Sequence, residues 1–338
     1  MKELIRKLVE APAPSGYEGQ VRKVIREEIE SLADEIRVDN LGNLIARKGR
    51  IAEGNTAQGK RIMLVAHMDE IGIIATHIDE VGYVRFLPIG GVNQRYCPGG
   101  RVRFLNGAAG VIGVEGKEWS NNAPRFENMY IDLGSSSRDE VPVRVGDVAV
   151  FERTFRELGN RLLAKALDDR AGVAVLIEVM RQLENTPNEI YFVFSTQEEV
   201  GVRGATTSAY AIEPEIGVAV DVTGSGDTPH GSKIEVALGK GPAIKVRDQS
   251  VLSDPRIVRW MEATARQAEI PYQIEVLELG GTDTKAIQLS RAGVPAGCLS
   301  IPARYVHSPS EMVDLGDVQA AVKLLVNLLG QPVDLGDL

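Results

Sequence analysis

The chain has 338 residues and a formal net charge of -9, with 43% hydrophobic and 25% charged residues. These values are ordinary for a globular protein, and the length suffices for a large core and two domains. Because there is no long basic block, the negative charge argues against nucleic acid and anionic membranes as main partners. No apolar run of about 18 residues and no signal-peptide core occur, so the sequence predicts a cytoplasmic protein without a transmembrane helix.

The first seventy residues predict two helices, a hairpin and a buried strand. Residues 2–11 have helical periodicity, and Ser15 and Glu18 stand at the spacing of a capping box before a second amphipathic helix. Residues 35–49 predict two short strands around a turn. Residues 61–70, RIMLVAHMDE, form an apolar run that ends in polar residues. That pattern is typical of a strand buried on both faces of a sheet.

The middle of the chain has a different pattern of apolar and turn-forming residues. From about Gly72 to about Leu163, short apolar runs are broken by Gly, Pro and Asn, which predicts a small β barrel or sandwich. Beyond Leu167, helices and apolar strands alternate again. The sequence therefore predicts an α/β fold: a three-layer domain with a mixed sheet, formed by residues 1–70 and 164–338, with residues 71–163 as an inserted barrel-like β domain.

Polar residues follow several of the predicted strands, where α/β folds gather their functional groups. The candidates are His67, Asp69, Asp168, Glu198, Glu199, Asp221 and His307. Each alone has an ordinary structural explanation, such as a helix cap for Asp168 or a solvated loop for His307. The other two histidines, His77 and His230, have no acidic residue at a comparable strand end. The two cysteines, Cys97 and Cys298, are predicted to be reduced and buried.

The combination of these residues indicates a metal centre. Carboxylates that converge in one crevice repel each other unless a cation lies among them. Imidazole and carboxylate ligands suit zinc, cobalt or manganese. Five candidate ligands exceed the needs of one open site, but suit two metals about 3.5–4 Å apart that share one carboxylate.

Two short spacings add detail to this prediction. Asp69 can reach back to His67, as carboxylates near metal-bound histidines commonly do. Adjacent side chains on an extended backbone point in opposite directions, so one of Glu198 and Glu199 can bind metal while the other accepts a proton. The spacing alone leaves open which does which. Ser195 and Glu198 also have the spacing of a capping box, which would start a helix. Gly201 and Gly204 argue against that interpretation, because glycine disfavours helix formation.

Taken in order, ten stretches of the chain resemble the TET, or deblocking/glutamyl, aminopeptidase family of dinuclear metallopeptidases. They are PSGYE, AHMDEIG, IGG, KALDDRAG, STQEEVGVRGA, AVDVT, DTPHG, LGKGPAI, GGTDTKAIQ and VHSPSEMVDLGD. The resemblance covers nearly the whole chain. It implies an enzyme that acts on short peptides, carries two divalent metal ions, and uses its inserted domain to assemble into homo-oligomers such as a tetrahedral dodecamer.

The resemblance also implies a role for each candidate residue. It implies that His67 and Asp221 bind one metal ion and that Glu199 and His307 bind the other. Asp168 would bridge the two ions. Glu198 would be the general base and Asp69 would orient His67. A cis peptide bond is implied between Asp168 and Asp169, and residues near Gly224 and Gly281 would line the substrate pocket.

We therefore expect an aminopeptidase in which a water activated by two metals attacks the peptide bond. Alternatives are a deacylase or carboxypeptidase-type hydrolase on the same scaffold, a glycosidase that uses paired carboxylates, and a non-catalytic metal-binding assembly subunit. Zinc and cobalt are the favoured metals, and manganese is also compatible.

Overall fold

The computed structural model describes residues 1–50, 59–116 and 124–336. Its helices are α1 (Lys2–Glu10), α2 (Gly19–Ile29), α3 (Leu167–Gln182), α4 (Arg203–Ile212), α5 (Pro255–Gln267), α6 (Thr284–Gln288) and α7 (Leu315–Leu329). The strands of the large sheet are β1 (Glu35–Val38), β2 (Leu44–Lys48), β3 (Arg61–His67), β10 (Arg156–Leu158), β11 (Arg161–Ala164), β12 (Glu189–Ser195), β13 (Ile216–Gly224), β14 (Ala243–Arg247), β15 (Gln273–Val276), β16 (Ala296–Arg304) and β17 (Glu311–Asp314). The strands of the barrel are β4 (Gly72–Ile78), β5 (Val84–Ile89), β6 (Arg101–Phe104), β7 (Ala109–Val114), β8 (Met129–Asp132) and β9 (Val148–Phe151).

The large sheet is mixed and runs in the order β1-β2-β12-β3-β13-β16-β17-β11-β10, with β14 and β15 branching from β16. Its four central strands, β12, β3, β13 and β16, are parallel. They are almost wholly buried, as the continuous apolar runs predict. Their carboxyl ends therefore meet at one edge of the sheet.

Helices cover both faces of this sheet. One core packs side chains of α1, α2, α3, α5 and α7 against one face, and the other core packs α4 and α6 against the opposite face. The predicted three-layer α/β fold with a mixed sheet is confirmed. None of the helices in the described ranges is long and apolar enough to cross a membrane.

The inserted segment forms a closed barrel in the order β4-β5-β8-β7-β6-β9. Its own core includes Ile73, Phe104 and Ile131. The strand pairing changes before residue 163: β10 and the first three residues of β11 lie within the predicted insert, but β11 pairs with β17 of the large sheet. The barrel strands thus span 72–151, a shorter segment than the predicted 71–163.

Two local predictions are wrong for reasons of tertiary packing. Ser15 does not cap α2, because its hydroxyl donates to Asp69 instead. Helix α4 begins at Arg203, shortly after the paired glutamates, although Gly201 and Gly204 are expected to disfavour a helix there. Gly204 is the second residue of this helix, and close packing against a neighbouring segment leaves no room for a side chain at that position. A Cβ atom on Gly204 would lie about 2.5 Å from the carbonyl oxygen of Thr196 and closer still to Asn43. The short elements β14, β15 and α6 also lack a clear sequence pattern.

Candidate metal centre and active site

The carboxyl ends of the central strands bring the candidate residues together. His67 ends β3 and lies beside Ser195, the last residue of β12. Asp221 lies near the end of β13 and pairs with Ser300 of β16. Asp168 is the second residue of α3, where its backbone angles are not yet helical, and its peptide bond to Asp169 is cis.

Two groups of three donors form at this edge of the sheet, and they share Asp168. The groups are His67, Asp168 and Asp221, and Asp168, Glu199 and His307, with the donor atoms of each group within 4.8 Å of one another. Asp168 Oδ1 lies 3.0 Å from His67 Nε2, while its Oδ2 lies 3.3 Å from His307 Nε2. His307 Nε2 is also 3.2 Å from a carboxylate oxygen of Glu199. One carboxylate therefore faces both histidines, one with each oxygen.

Asp69 is fully buried and holds the backbone of both paired glutamates. Its two carboxylate oxygens accept hydrogen bonds from the N–H of Glu198 at 3.0 Å and of Glu199 at 3.2 Å. The same carboxylate lies 3.4 Å from His67 Nδ1. Asp69 thus contacts three residues of the site at once.

A further residue near the site, Glu311, is not among the candidates from the sequence, because it does not follow a predicted strand. One oxygen of this buried carboxylate accepts from the backbone N–H of Asp168, and the other accepts from that of His307, both at 2.9 Å. Glu311 therefore fixes the backbone of two candidate ligands relative to each other. Its position four residues after His307 is the only signal in the sequence.

Asp169 and Glu70, which each follow a candidate residue, support the site without joining either donor group. Asp169 accepts hydrogen bonds from the backbone N–H of His67 at 3.3 Å and of Gly172 at 2.9 Å. Glu70 accepts two hydrogen bonds from the ammonium of Lys165, at 2.7 and 2.8 Å. Both partners of this ion pair are buried, and they tie the end of β3 to the segment that carries Asp168.

The electrostatics of the cluster favour bound positive charge. Burial alone would lower the pKa of His67, but its hydrogen bonds to Asp168 and Asp69 outweigh burial and raise that pKa well above its usual value. Burial, with Asp168 nearby, raises the pKa of Asp221 well above its usual value, although His67 opposes the shift. Burial and Asp221 likewise raise the pKa of Glu198, again against His67. The mixed nitrogen and oxygen donors therefore fit divalent cations such as zinc, cobalt or manganese.

Comparison with known proteins decides the family. The model of the M42 glutamyl aminopeptidase family matches residues 42–324. A putative aminopeptidase of Acetivibrio thermocellus is 47% identical over 332 residues, which cover 97% of this chain and 98% of that protein.

The chain belongs to the M42 glutamyl aminopeptidase family.

Solved structures of aminopeptidases share the fold of this M42 family member. An aminopeptidase from Desulfurococcus kamchatkensis superposes with a TM-score of 0.92 at 40% identity, covering 97% of this chain and 94% of that one. The TET1 peptidase of Pyrococcus horikoshii, which can assemble into a tetrahedron or a large octahedral shell, has a TM-score of 0.84 at 34% identity. The matched region covers 97% of this chain and 98% of the TET1 chain. The predicted family and the predicted metal-dependent aminopeptidase activity are confirmed.

A cavity of about 460 Å³ opens beside the donor groups of this M42 family member. Its walls include the donor residues, Glu198, and the backbone of Gly224 and Gly281. The two lysines that line it differ in solvent exposure. Lys245 is buried in an ion pair with Glu275, whereas Lys285 is exposed.

The remaining histidines and the cysteines lie outside the donor groups. His77 and His230 are exposed, and neither belongs to a group of potential metal ligands in the described part of the chain. Cys97 and Cys298 are free and buried, as predicted.

Proposed function

We propose that this enzyme removes N-terminal residues from short peptides, with two divalent cations held by the two donor groups. The observation that carries the proposal is the position of Asp168, whose two oxygens face His67 and His307 separately. His67 and Asp221 would hold one ion, Glu199 and His307 the other, and Asp168 both. When bound, such cations would polarise the scissile carbonyl and lower the pKa of a water molecule.

The chain's own residues would carry the proton and align the reacting groups. Glu198 accepts a proton as the oxygen of a water molecule attacks the scissile carbonyl carbon. It then delivers that proton to the leaving nitrogen as the carbon–nitrogen bond breaks. Asp69 supports this step because it fixes the backbone of Glu198 and orients His67.

The cavity beside the donor groups suits the N-terminal side chain of the peptide. Gly224 leaves open space among the described residues, whereas a Cβ on Gly281 would lie 3.0 Å from the hydroxyl of Ser250. We propose that both glycines line the pocket for this side chain. We further propose that the enzyme acts in the cytoplasm and assembles through its barrel into a closed shell. The assembly of the structurally similar TET1 peptidase of Pyrococcus horikoshii supports this part.

A chelate-and-reload experiment tests the function. The enzyme is treated with a chelator, reloaded with zinc, cobalt or manganese, and assayed on peptides with a free N-terminus and on the same peptides with that amine acetylated. We expect chelation to abolish activity, metal to restore it, and only the free-amine peptides to be cut. Preferential cleavage of the acetylated substrates would favour a deacylase, and trimming from the carboxyl end would favour a carboxypeptidase. Full activity in chelator would exclude the two-metal proposal.

A further inference from the structure

The two histidines of the donor groups are supported differently. A metal-binding histidine normally has a hydrogen-bond partner at its other ring nitrogen, which fixes the orientation of the ring. For His67, Nδ1 lies 3.2 Å from the backbone oxygen of Asp69 and 3.4 Å from its carboxylate. For His307, Nε2 faces Asp168 and Glu199, but no residue in the described part of the chain offers a hydrogen bond to Nδ1.

The Nδ1 side of His307 faces Gly91, a residue of the barrel. A Cβ atom built on Gly91 would lie 2.6 Å from Cε1 of His307 and closer still to Nδ1. Such a distance is well inside van der Waals contact. The backbone of Gly91 is not in the left-handed region, so conformational freedom does not require a glycine here. The requirement is for space beside the imidazole.

The neighbouring Gly90 makes a similar contact with the other residue of this donor group. Its hypothetical Cβ would lie 3.0 Å from Cβ of Glu199 and 3.1 Å from a carboxylate oxygen of the same residue. Gly90 and Gly91 directly follow β5, in the IGG stretch. The barrel backbone therefore packs against both residues that belong only to the second donor group.

We propose that Gly91 is a positioning residue for His307, and that the barrel loop supplies the ring support that Asp69 supplies for His67. The proposal rests on the proposed metal-binding role of His307. Close packing of the glycine backbone restricts rotation of the imidazole, so that Nε2 stays directed at Asp168 and Glu199. The barrel thus forms one wall of the metal centre.

The test is a zinc titration by calorimetry of the full-length, chelator-treated enzyme and its Gly91→Ala variant. The added methyl group must displace the ring, so we expect one of two zinc equivalents to bind about 10- to 100-fold more weakly, as when the outer support of a ligand is lost. The other equivalent stays unchanged. The matched control is Gly116→Ala, whose Cβ would meet nothing within 4 Å among the described residues and which keeps wild-type titration. Wild-type binding of both equivalents by Gly91→Ala would overturn the proposal.

A second pair of variants separates positioning from a general effect on folding. His307→Gly removes the ring that the methyl group would meet, and the positive φ of 59° at this position suits glycine. In the His307→Gly background, Gly91→Ala should cause no further loss of zinc affinity or stability. A further loss there, or a double variant that fails to fold when His307→Gly folds, would overturn the proposal. If wild-type enzyme bound no zinc, the proposed function itself would fail, which this titration shows separately.

Discussion

The hydroxyl of Ser15 donates a hydrogen bond of 2.6 Å to the carboxylate of Asp69. Through this contact, the segment between α1 and α2 touches the residue that anchors the backbone of Glu198 and Glu199. Glu18 adds a second link, because its carboxylate accepts from the backbone N–H of Gln197 at 3.1 Å. The PSGYE stretch is therefore a support for the loop that carries both glutamates.

Ser15→Ala should lower both stability and turnover. A hydrogen bond to a buried charged group contributes about 1.5–3 kcal/mol, and we expect a loss of that size in chemical denaturation. The value of kcat should fall more than KM rises, because Glu198 loses its alignment. The control is Ser208→Ala, whose buried hydroxyl bonds only to carbonyl oxygens within α4. Equal kcat values for the two variants would argue against this support.

Replacing each glutamate of the pair tests the division of roles between them. Glu198→Gln should keep zinc affinity and lower kcat by about 10²- to 10⁴-fold, the usual contribution of a general base. Glu199→Gln should instead weaken zinc binding. Calorimetry measures the zinc affinity of both variants, and steady-state kinetics measures their kcat. The opposite pattern would exchange the two roles.

Lys165→Met should destabilise the fold strongly. It removes the ammonium that donates two hydrogen bonds to the buried carboxylate of Glu70, which keeps the backbone N–H of Ala13 at 3.0 Å and Arg170 at 3.7 Å. We therefore expect a loss of up to about 3–5 kcal/mol, the cost of breaking a buried ion pair completely. The comparison is Lys60→Met, which removes an exposed pair with Glu215 and should change stability little. Urea denaturation measures both. Similar losses for the two variants would mean that the buried pair is not a structural tie.

Gly224→Ala should change substrate preference without changing the fold. A Cβ here would meet nothing within 4 Å in the part of the chain that the structure describes, so the methyl group projects into the cavity beside the donor groups. One methyl group in an apolar pocket discriminates by about 10- to 200-fold. We expect kcat/KM for N-terminal leucine to fall relative to that for alanine, while zinc affinity stays constant. An equal change for both substrates would place the side-chain pocket elsewhere.

The ion pair between Asp227 and Arg304 should make the stability of the fold depend on pH in the acidic range. Hydrogen bonds of 2.9 and 2.7 Å from the guanidinium, against a smaller effect of burial, lower the pKa of Asp227. Because the folded-state pKa is depressed, the contribution is complete above the unfolded value of about 3.9 and is lost as pH falls through the folded value. The stability difference between wild type and Asp227→Asn should therefore be constant near neutral pH and shrink below about pH 4.

The control for this pH dependence is Asp139→Asn, which alters an exposed carboxylate on the barrel. Its difference from wild type should stay small throughout, as measured by denaturation at several pH values. A difference for Asp227→Asn that grew on acidification would contradict the assigned sign.

The sequence predicts much of the site because apolar strands end in the residues that meet there. His67, Glu199 and Asp221 follow such strands, and the parallel order of the sheet brings them to one edge. Glu311 and Gly91 act through contacts between distant segments, which local periodicity does not encode. The same limit applies to Gly204, which looks like a helix breaker but serves close packing.

Strand β3 ends at His67 and the barrel begins at Gly72, so no flexible linker separates the two. The intervening Asp69 and Glu70 are buried and bonded to other segments. The position of the barrel is therefore coupled to the position of His67 by four residues of buried chain. A replacement of this barrel by another module should therefore preserve the connection from His67 to Gly72 as well as the barrel fold, because that connection carries the candidate residues His67 and Asp69.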